Sequence, residues 1–293
     1  MLKKRRPDGT LLKDLPHFTR LVPYLMGTRI ESTIFFEQDF DITHALDYVH
    51  SKVNDPADDR LTFFHVFLCA GVRTLALRPK LNRFVSGYHF YQRNQIRFNF
   101  VAKKTLTDEG REINVTIPFS AEETLSTLPS KVNGFISRGM GEEGTTSDDT
   151  NALLVRLPRL MIRLIVRALR CLDYYNMLPG SFIDSMPFWV SIFFTNVGSV
   201  GLDAPLHHNF NIGTCGLFIA LGKIRRKIVT AADGSVTERA HVKVTFSYDD
   251  RIADGIYCGR AIDLFRDFVE HPEKLEEPPR LSPAQRAELM LKQ

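Results

Sequence analysis

The stretch LTFFHVFLCAGVRTLAL, residues 61–77, places the strongest constraint on how this chain can fold. It is apolar on most faces and, Gly71 apart, free of helix breakers. It therefore predicts a buried helix that other elements must cover. Strand-like segments flank it. TIFFEQDF, residues 33–40, has strand character, and Asp41-Ile42-Thr43 then caps a helix running to about Val53. RFVSGYHFY and QIRFNFVAKK predict two strands with Gln92-Arg93-Asn94 at the turn between them, and EINVTIPF predicts a third.

Ser120 to Ser137 predicts a helix opened by the capping box Ser120-Ala121-Glu122-Glu123, and the Gly- and acid-rich stretch 138–151 predicts a loop. FWVSIFFTNVG and CGLFIALGKI predict buried strands. The alternation around Asp233-Gly234 predicts a hairpin. A helix at about 255–269 follows, then a Pro-rich tail and a short helix with a second capping box, Ser282-Pro283-Ala284-Gln285. There is no internal repeat, and no linker is long enough to split the chain. The expectation is one α/β domain, with a core over 19–278, an N-terminal arm over 1–18 lying outside it, and a C-terminal tail helix over 279–293.

At 293 residues and 44% hydrophobic content the chain can bury a substantial core. Its charge is nearly balanced at +4, without the basic, aromatic-rich pattern of a nucleic-acid binder. Cys69, Cys171, Cys215 and Cys258 lie far apart with no C-x-x-C spacing, which predicts reduced core thiols in a cytoplasmic protein and no metal. MLKKRRPDGT runs into Pro, Asp and Gly instead of an apolar region, so it does not read as a secretory signal, and no apolar span has membrane length. Arg156, Arg159, Arg163, Arg167 and Arg170 recur at steps of three or four, one stripe of a helix that starts near Pro158. The plainest reading is a solvated basic face on a helix packed against the sheet. The sharper ones are contact with an anionic membrane surface, an acidic partner or a phosphate-bearing ligand.

Four segments, in order, carry a family resemblance: RIESTIFFEQDFDIT, RPKLNRF, FFTNVGSVG and SYDDRIADG. They resemble the opening strand and helix, the Pro-x-Leu-Asn turn, the Ser/Thr-Asn-x-Gly segment and the Asp-His-Arg-x-x-Asp-Gly motif of one superfamily. It is the acyltransferase core of 2-oxo acid dehydrogenase complexes, the dihydrolipoamide acyltransferases, within the chloramphenicol acetyltransferase-like superfamily. The similarity runs from about residue 21 to 278, with 152–186 an apparent helical insertion. It implies a mixed sheet flanked by helices, and a homotrimer or larger assembly with each active site in a channel between two subunits. CoA or acyl-CoA would enter from one side and an acyl acceptor from the other. The resemblance carries Thr195 to the oxyanion donor, Arg251 and Asp254 to the pair that orders the site, and the general base to Asp250. No lipoyl domain precedes the core in this sequence, so the expected acceptor is an acyl-carrying protein supplied from elsewhere.

Asp250 departs from the family, whose motif has a His there. Reference pKa values put Asp about 4.6 units below a Cys-like thiol against roughly 2 for His, a difference of about 3.5 kcal/mol in proton-transfer driving force. Asp is also shorter, and acceptor-only when ionised. His207 and His208, in APLHHNFNIGT, are the residues that could lend an imidazole. Adjacent side chains point apart, so at most one could serve, and His208 is the candidate; the plainer reading is a solvated or interface pair. Thr195 is equally readable as a packed strand residue, and Arg251 with Asp254 as a structural pair. Two functions follow first from the sequence: acyl transfer with a non-standard base, or a catalytically silent homologue acting as an oligomeric scaffold or partner-binding protein. A third class is a membrane-peripheral interaction protein using the arginine-striped helix.

Overall fold

The computed structural model describes residues 6–52, 61–103, 110, 112–141, 156–230 and 233–292. Helix α3 (Phe63–Leu77) is the buried helix its sequence predicts, with every residue from His65 to Ala76 out of water. A capping box starts it. The Thr62 hydroxyl accepts the His65 N–H, and the Thr62 N–H donates to His65 Nδ1 at 3.1 Å.

The main sheet has six strands in the order β2 (Thr33–Asp41), β9 (Val236–Asp249), β8 (Leu217–Thr230), β7 (Ile192–Asn196), β5 (Ile96–Lys103) and β6 (Glu112–Phe119). β5, β7 and β8 run parallel, and the other pairings are antiparallel. Side chains alternate across this sheet. Phe98, Ile192, Phe194, Ile219 and Phe246 join the main core with α3 and helix α7 (Gly255–Glu270), while Phe193, Phe218 and Ala220 face the other side. Phe40, Phe67, Phe246 and Phe265 form an aromatic cluster between sheet and helices, the Phe246 and Phe265 rings meeting edge to face at 5.7 Å. Helices α2 (Thr43–Lys52) and α4 (Leu128–Met140) extend this layer.

A second sheet has the order β1 (Gly9–Leu11), β4 (His89–Arg93), β3 (Arg83–Ser86). Here the sequence expectation is corrected twice. RFVSGYHFY is a hairpin turning at Gly87 and Tyr88, both at positive φ, so Gln92 and Arg93 lie in a strand and not in a turn. Residues read as an arm outside the core are bound into it. β1 pairs with β4 through Thr10 and Gln92, and the buried Arg6 guanidinium donates to Asp8, Ser86, Asp173 and Asn176. Asp8 also lies 3.7 Å from Arg93, which is fully buried, donates to the Thr214 carbonyl and hydroxyl, and has its pKa lowered by burial to about 10.

α4 begins at Leu128, later than Ser120. Only half of the predicted box forms: the Ser120 N–H donates to Glu123 Oε1 at 3.2 Å, but the Ser120 hydroxyl accepts from the Glu122 N–H, and the result is an isolated turn. Leu125 N–H is drawn to the Leu275 carbonyl, which takes the backbone off a helical path. Most of the loop predicted at 138–151 lies outside the described residues. Helix α5 (Arg159–Tyr174) follows Pro158 as expected, but it lies on the surface with no residue buried. Its inner side brings Leu169 and Leu172 to Trp189, beside helix α6 (Gly180–Ser185). Helix α8 (Pro283–Leu289) carries its predicted capping box. Cys69, Cys215 and Cys258 are core thiols, whereas Cys171 is exposed on α5. No helix among the described residues is long and apolar enough to cross a membrane.

His65 gives the fold a pH signature. Burial, partly opposed by a hydrogen bond with Asn133, lowers its pKa from 6.5 to about 4. Between those values the unfolded chain binds the proton that the folded one refuses, so its contribution is full above pH 6.5 and is lost as pH falls toward 4. Urea unfolding across that range should show a loss of about 3 kcal/mol from this group. His65→Gln, which keeps a side-chain acceptor in the box, should flatten that slope.

Candidate active site

The SYDDRIADG loop is built around Asp249, the last residue of β9, paired with Thr33 of β2. Its Oδ1 accepts from the Ser32 hydroxyl at 2.9 Å and from Arg251 Nε at 2.8 Å, and its Oδ2 accepts from Arg251 Nη2 at 2.7 Å. Arg251 Nη1 donates to the Met26 carbonyl, and the Asp250 N–H donates to the Ser32 carbonyl. The loop is therefore tied to the segment entering β2 from both sides. A second buried guanidinium, Arg29, stands 4.0 Å from the same carboxylate and donates to the Phe210 carbonyl. Burial lowers its pKa, with Asp249 acting in the opposite sense.

This corrects the expected pairing, since Arg251 is partnered by Asp249 and not by Asp254. Asp254 instead caps α7, its carboxylate accepting the Tyr257 N–H at 2.9 Å. Asp249 and Asp254 both lie within three residues of Arg251 in the sequence. The turn settles the choice by directing Asp249 into the buried side and Asp254 out to the helix end.

Asp250 is half-buried and accepts the Tyr248 hydroxyl at 2.9 Å. Burial, then the neighbouring Cys258 and Asp250, push the Tyr248 pKa up, so it is a neutral donor. Burial first, and then Asp250 and Asp254, raise the Cys258 thiol to about 12; it is a packed thiol and not a nucleophile.

Thr195 lies toward the end of β7, half-buried, ahead of a turn where Gly198 packs so closely on the Gly222 carbonyl that an added Cβ would sit 2.2 Å from it. Register fixes its distance from Asp250. Thr195 stands opposite Ala220, and Ala220 opposite Thr245, while Asp250 lies at the far end of β9. Two strand spacings across and roughly 16 Å along the strand separate them by about 19 Å. One chain does not bring the two together.

His207 and His208 stack on each other at 4.9 Å, and His207 also lies flat on Phe218 at 3.9 Å. Their Nδ1 atoms meet the carbonyls of His208 and Asn209. Burial lowers the His207 pKa. Among the described residues neither ring bonds to Asp250, and no group of three or more His, Cys, Asp or Glu could hold a metal ion. A cavity of about 280 Å³ opens beside the loop, lined by Arg29, Arg251, Ser86, Tyr88, Asp173 and Trp189 among others. Of its lining the sequence had singled out Arg251 and, in the arginine stripe, Arg170.

The two carboxylates separate by mutation. Asp249→Asn leaves two buried guanidiniums short of their counter-ion and should lower unfolding free energy by about 3–5 kcal/mol. Asp254→Ala removes a helix cap and should cost about 1 kcal/mol. Chemical denaturation measures both, and the reverse order would mean that Asp254 holds Arg251.

Residues 191–276, which contain both Thr195 and the SYDDRIADG loop, match the family model described as 2-oxoacid dehydrogenases acyltransferase (catalytic domain). Among solved structures the chain is similar to the dihydrolipoamide acetyltransferase of Azotobacter vinelandii, at 14% identity and a TM-score of 0.59, over 91% of this chain and 94% of that one. A probable dihydrolipoamide acetyltransferase from Listeria monocytogenes gives 16% and 0.56, over 92% and 98%. A truncated catalytic core of the 2-oxoacid dehydrogenase multienzyme complex from Thermoplasma acidophilum gives 13% and 0.53, over 89% and 98%. No curated protein matches by sequence. The chain thus has the fold seen in the dihydrolipoamide acetyltransferase cores, and its residues 191–276 match the model of the catalytic domain of the 2-oxoacid dehydrogenases acyltransferases.

Proposed function

We propose that this protein transfers an acyl group from a CoA thioester to a thiol or other nucleophilic acceptor, in a site assembled between two copies of the chain within a homotrimer or larger assembly. Asp250 takes the acceptor's proton as its sulfur attacks the thioester carbonyl. The oxyanion of the tetrahedral adduct accepts a hydrogen bond from Thr195 of the partner subunit. The adduct then collapses, the C–S bond to CoA breaks, and the departing thiolate recovers the proton. The observation that supports this most is the register. The two residues stand about 19 Å apart in one chain, at opposite ends of the sheet, so a site using both needs a second copy. A carboxylate base makes the reaction slow.

A silent homologue is the second reading, favoured by the Tyr248 hydroxyl already bound to Asp250. Calorimetry with CoA and acetyl-CoA, followed by turnover with dihydrolipoamide, separates the two. The transferase reading expects binding, slow turnover lost in Asp250→Asn and in Thr195→Ala, and a gain of about ten- to three-hundredfold in Asp250→His. Co-refolding the two inactive variants should restore about a quarter of the sites, because some interfaces then combine the intact residue of each. CoA binding without turnover in either the native protein or Asp250→His supports the silent reading. Absence of CoA binding overturns both the transfer and the retained channel.

A further inference from the structure

The arginine-striped helix takes no part in this chemistry, and it lies on a surface with an unusual composition. From Arg156 to Leu172 the sequence holds five arginines and no acidic residue. Half-buried Ile162, Ile165, Val166 and Leu169 turn α5 toward the protein. Its outward side carries Arg159, Arg163, Arg167 and Arg170 next to a second stripe that begins with Leu160 and Leu164, which are 68% and 57% exposed. Cation and hydrocarbon both face water, so this is not simply a solvated basic face.

Helix α1 (His17–Leu25) repeats the pattern, with Phe18, Leu21, Tyr24 and Leu25 exposed along one helix. Aromatic contacts bring the two helices to the same side of the molecule. Tyr24 stacks on Tyr88 at 4.7 Å, and Tyr88 meets Tyr174, at the end of α5, at 6.0 Å. The result is two helices with exposed apolar residues, linked through Tyr24, Tyr88 and Tyr174, the second of them carrying a stripe of guanidiniums. The chemistry that satisfies all three is an anionic phospholipid surface, with acyl chains for the leucines and Phe18, the headgroup boundary for the tyrosines, and phosphates for the arginines. A folded acidic protein would pair with the arginines but would not require apolar residues spread along two helices.

We propose that the face formed by α1 and α5 seats this protein peripherally on anionic membranes. The proposal does not depend on acyl transfer.

The test is flotation of the full-length protein with vesicles of equimolar phosphatidylglycerol and phosphatidylcholine, against vesicles of phosphatidylcholine alone. Co-flotation is expected with the anionic vesicles only. The triple variant Arg159→Glu, Arg163→Glu, Arg167→Glu should weaken partitioning by roughly a hundredfold. The double variant Leu160→Ser, Leu164→Ser, which keeps every charge, should weaken it by at least about tenfold. All five positions are exposed, and circular dichroism and size exclusion should show both variants folded. No flotation with anionic vesicles overturns the proposal, as does equal binding by native protein and both variants. If sedimentation velocity shows the leucine variant changing the mass of the assembly while the native protein ignores vesicles, the face is a contact between copies.

Discussion

One buried carboxylate organises the end of the molecule where chemistry is expected. Asp249 accepts from Ser32 and from two nitrogens of Arg251, with Arg29 behind them, and so joins β9, the turn after it and the segment entering β2. Two guanidiniums share this carboxylate, and each also donates to a backbone carbonyl, Arg251 to that of Met26 and Arg29 to that of Phe210, while Arg29 Nε has no hydrogen-bond partner among the described residues. None of this involves the Asp250 side chain. The outline of the motif is therefore a property of the fold, and it survives whichever residue stands at the reacting position.

The same separation explains why the site resists reading from a linear pattern. Several carboxylates lie within three residues of Arg251 in the sequence, but the pairing depends on the turn after β9, where Asp249 is swept inward and Asp254 is left at the start of α7. Thr195 and Asp250 sit in neighbouring motifs of the sequence. Only strand order and register reveal that they end up at opposite ends of the sheet.

Elements set by local chemistry were legible: α3 from its unbroken apolar run, the last hairpin from Asp233-Gly234, and α8 from a capping box that closes as written. Elements set by distant contacts were not. Half of the box at Ser120 forms, and Leu275 diverts the chain before a helix can follow. Tyr88 adopts a left-handed conformation more usual for Gly or Asn, which hid the turn between β3 and β4. Arg6 and Asp8 look like solvent residues in a polar terminus, and they become core residues because each supplies the other's counter-charge.

Strand order also governs the sequence in which this sheet can assemble. Among the described residues β2 lies at the sheet edge, with β9 as its sole strand partner, and Asp41 faces His241. At the usual pace of synthesis, roughly 10–40 s pass between the emergence of β2 and that of its partner. For that interval a strand reading TIFFEQDF is an unpaired ribbon with phenylalanines on it, while β5 and β6 can already form their hairpin. The chain's most exposed moment is thus set by topology rather than by final stability, and its yield in a cell depends on what shields β2 until the last strand arrives.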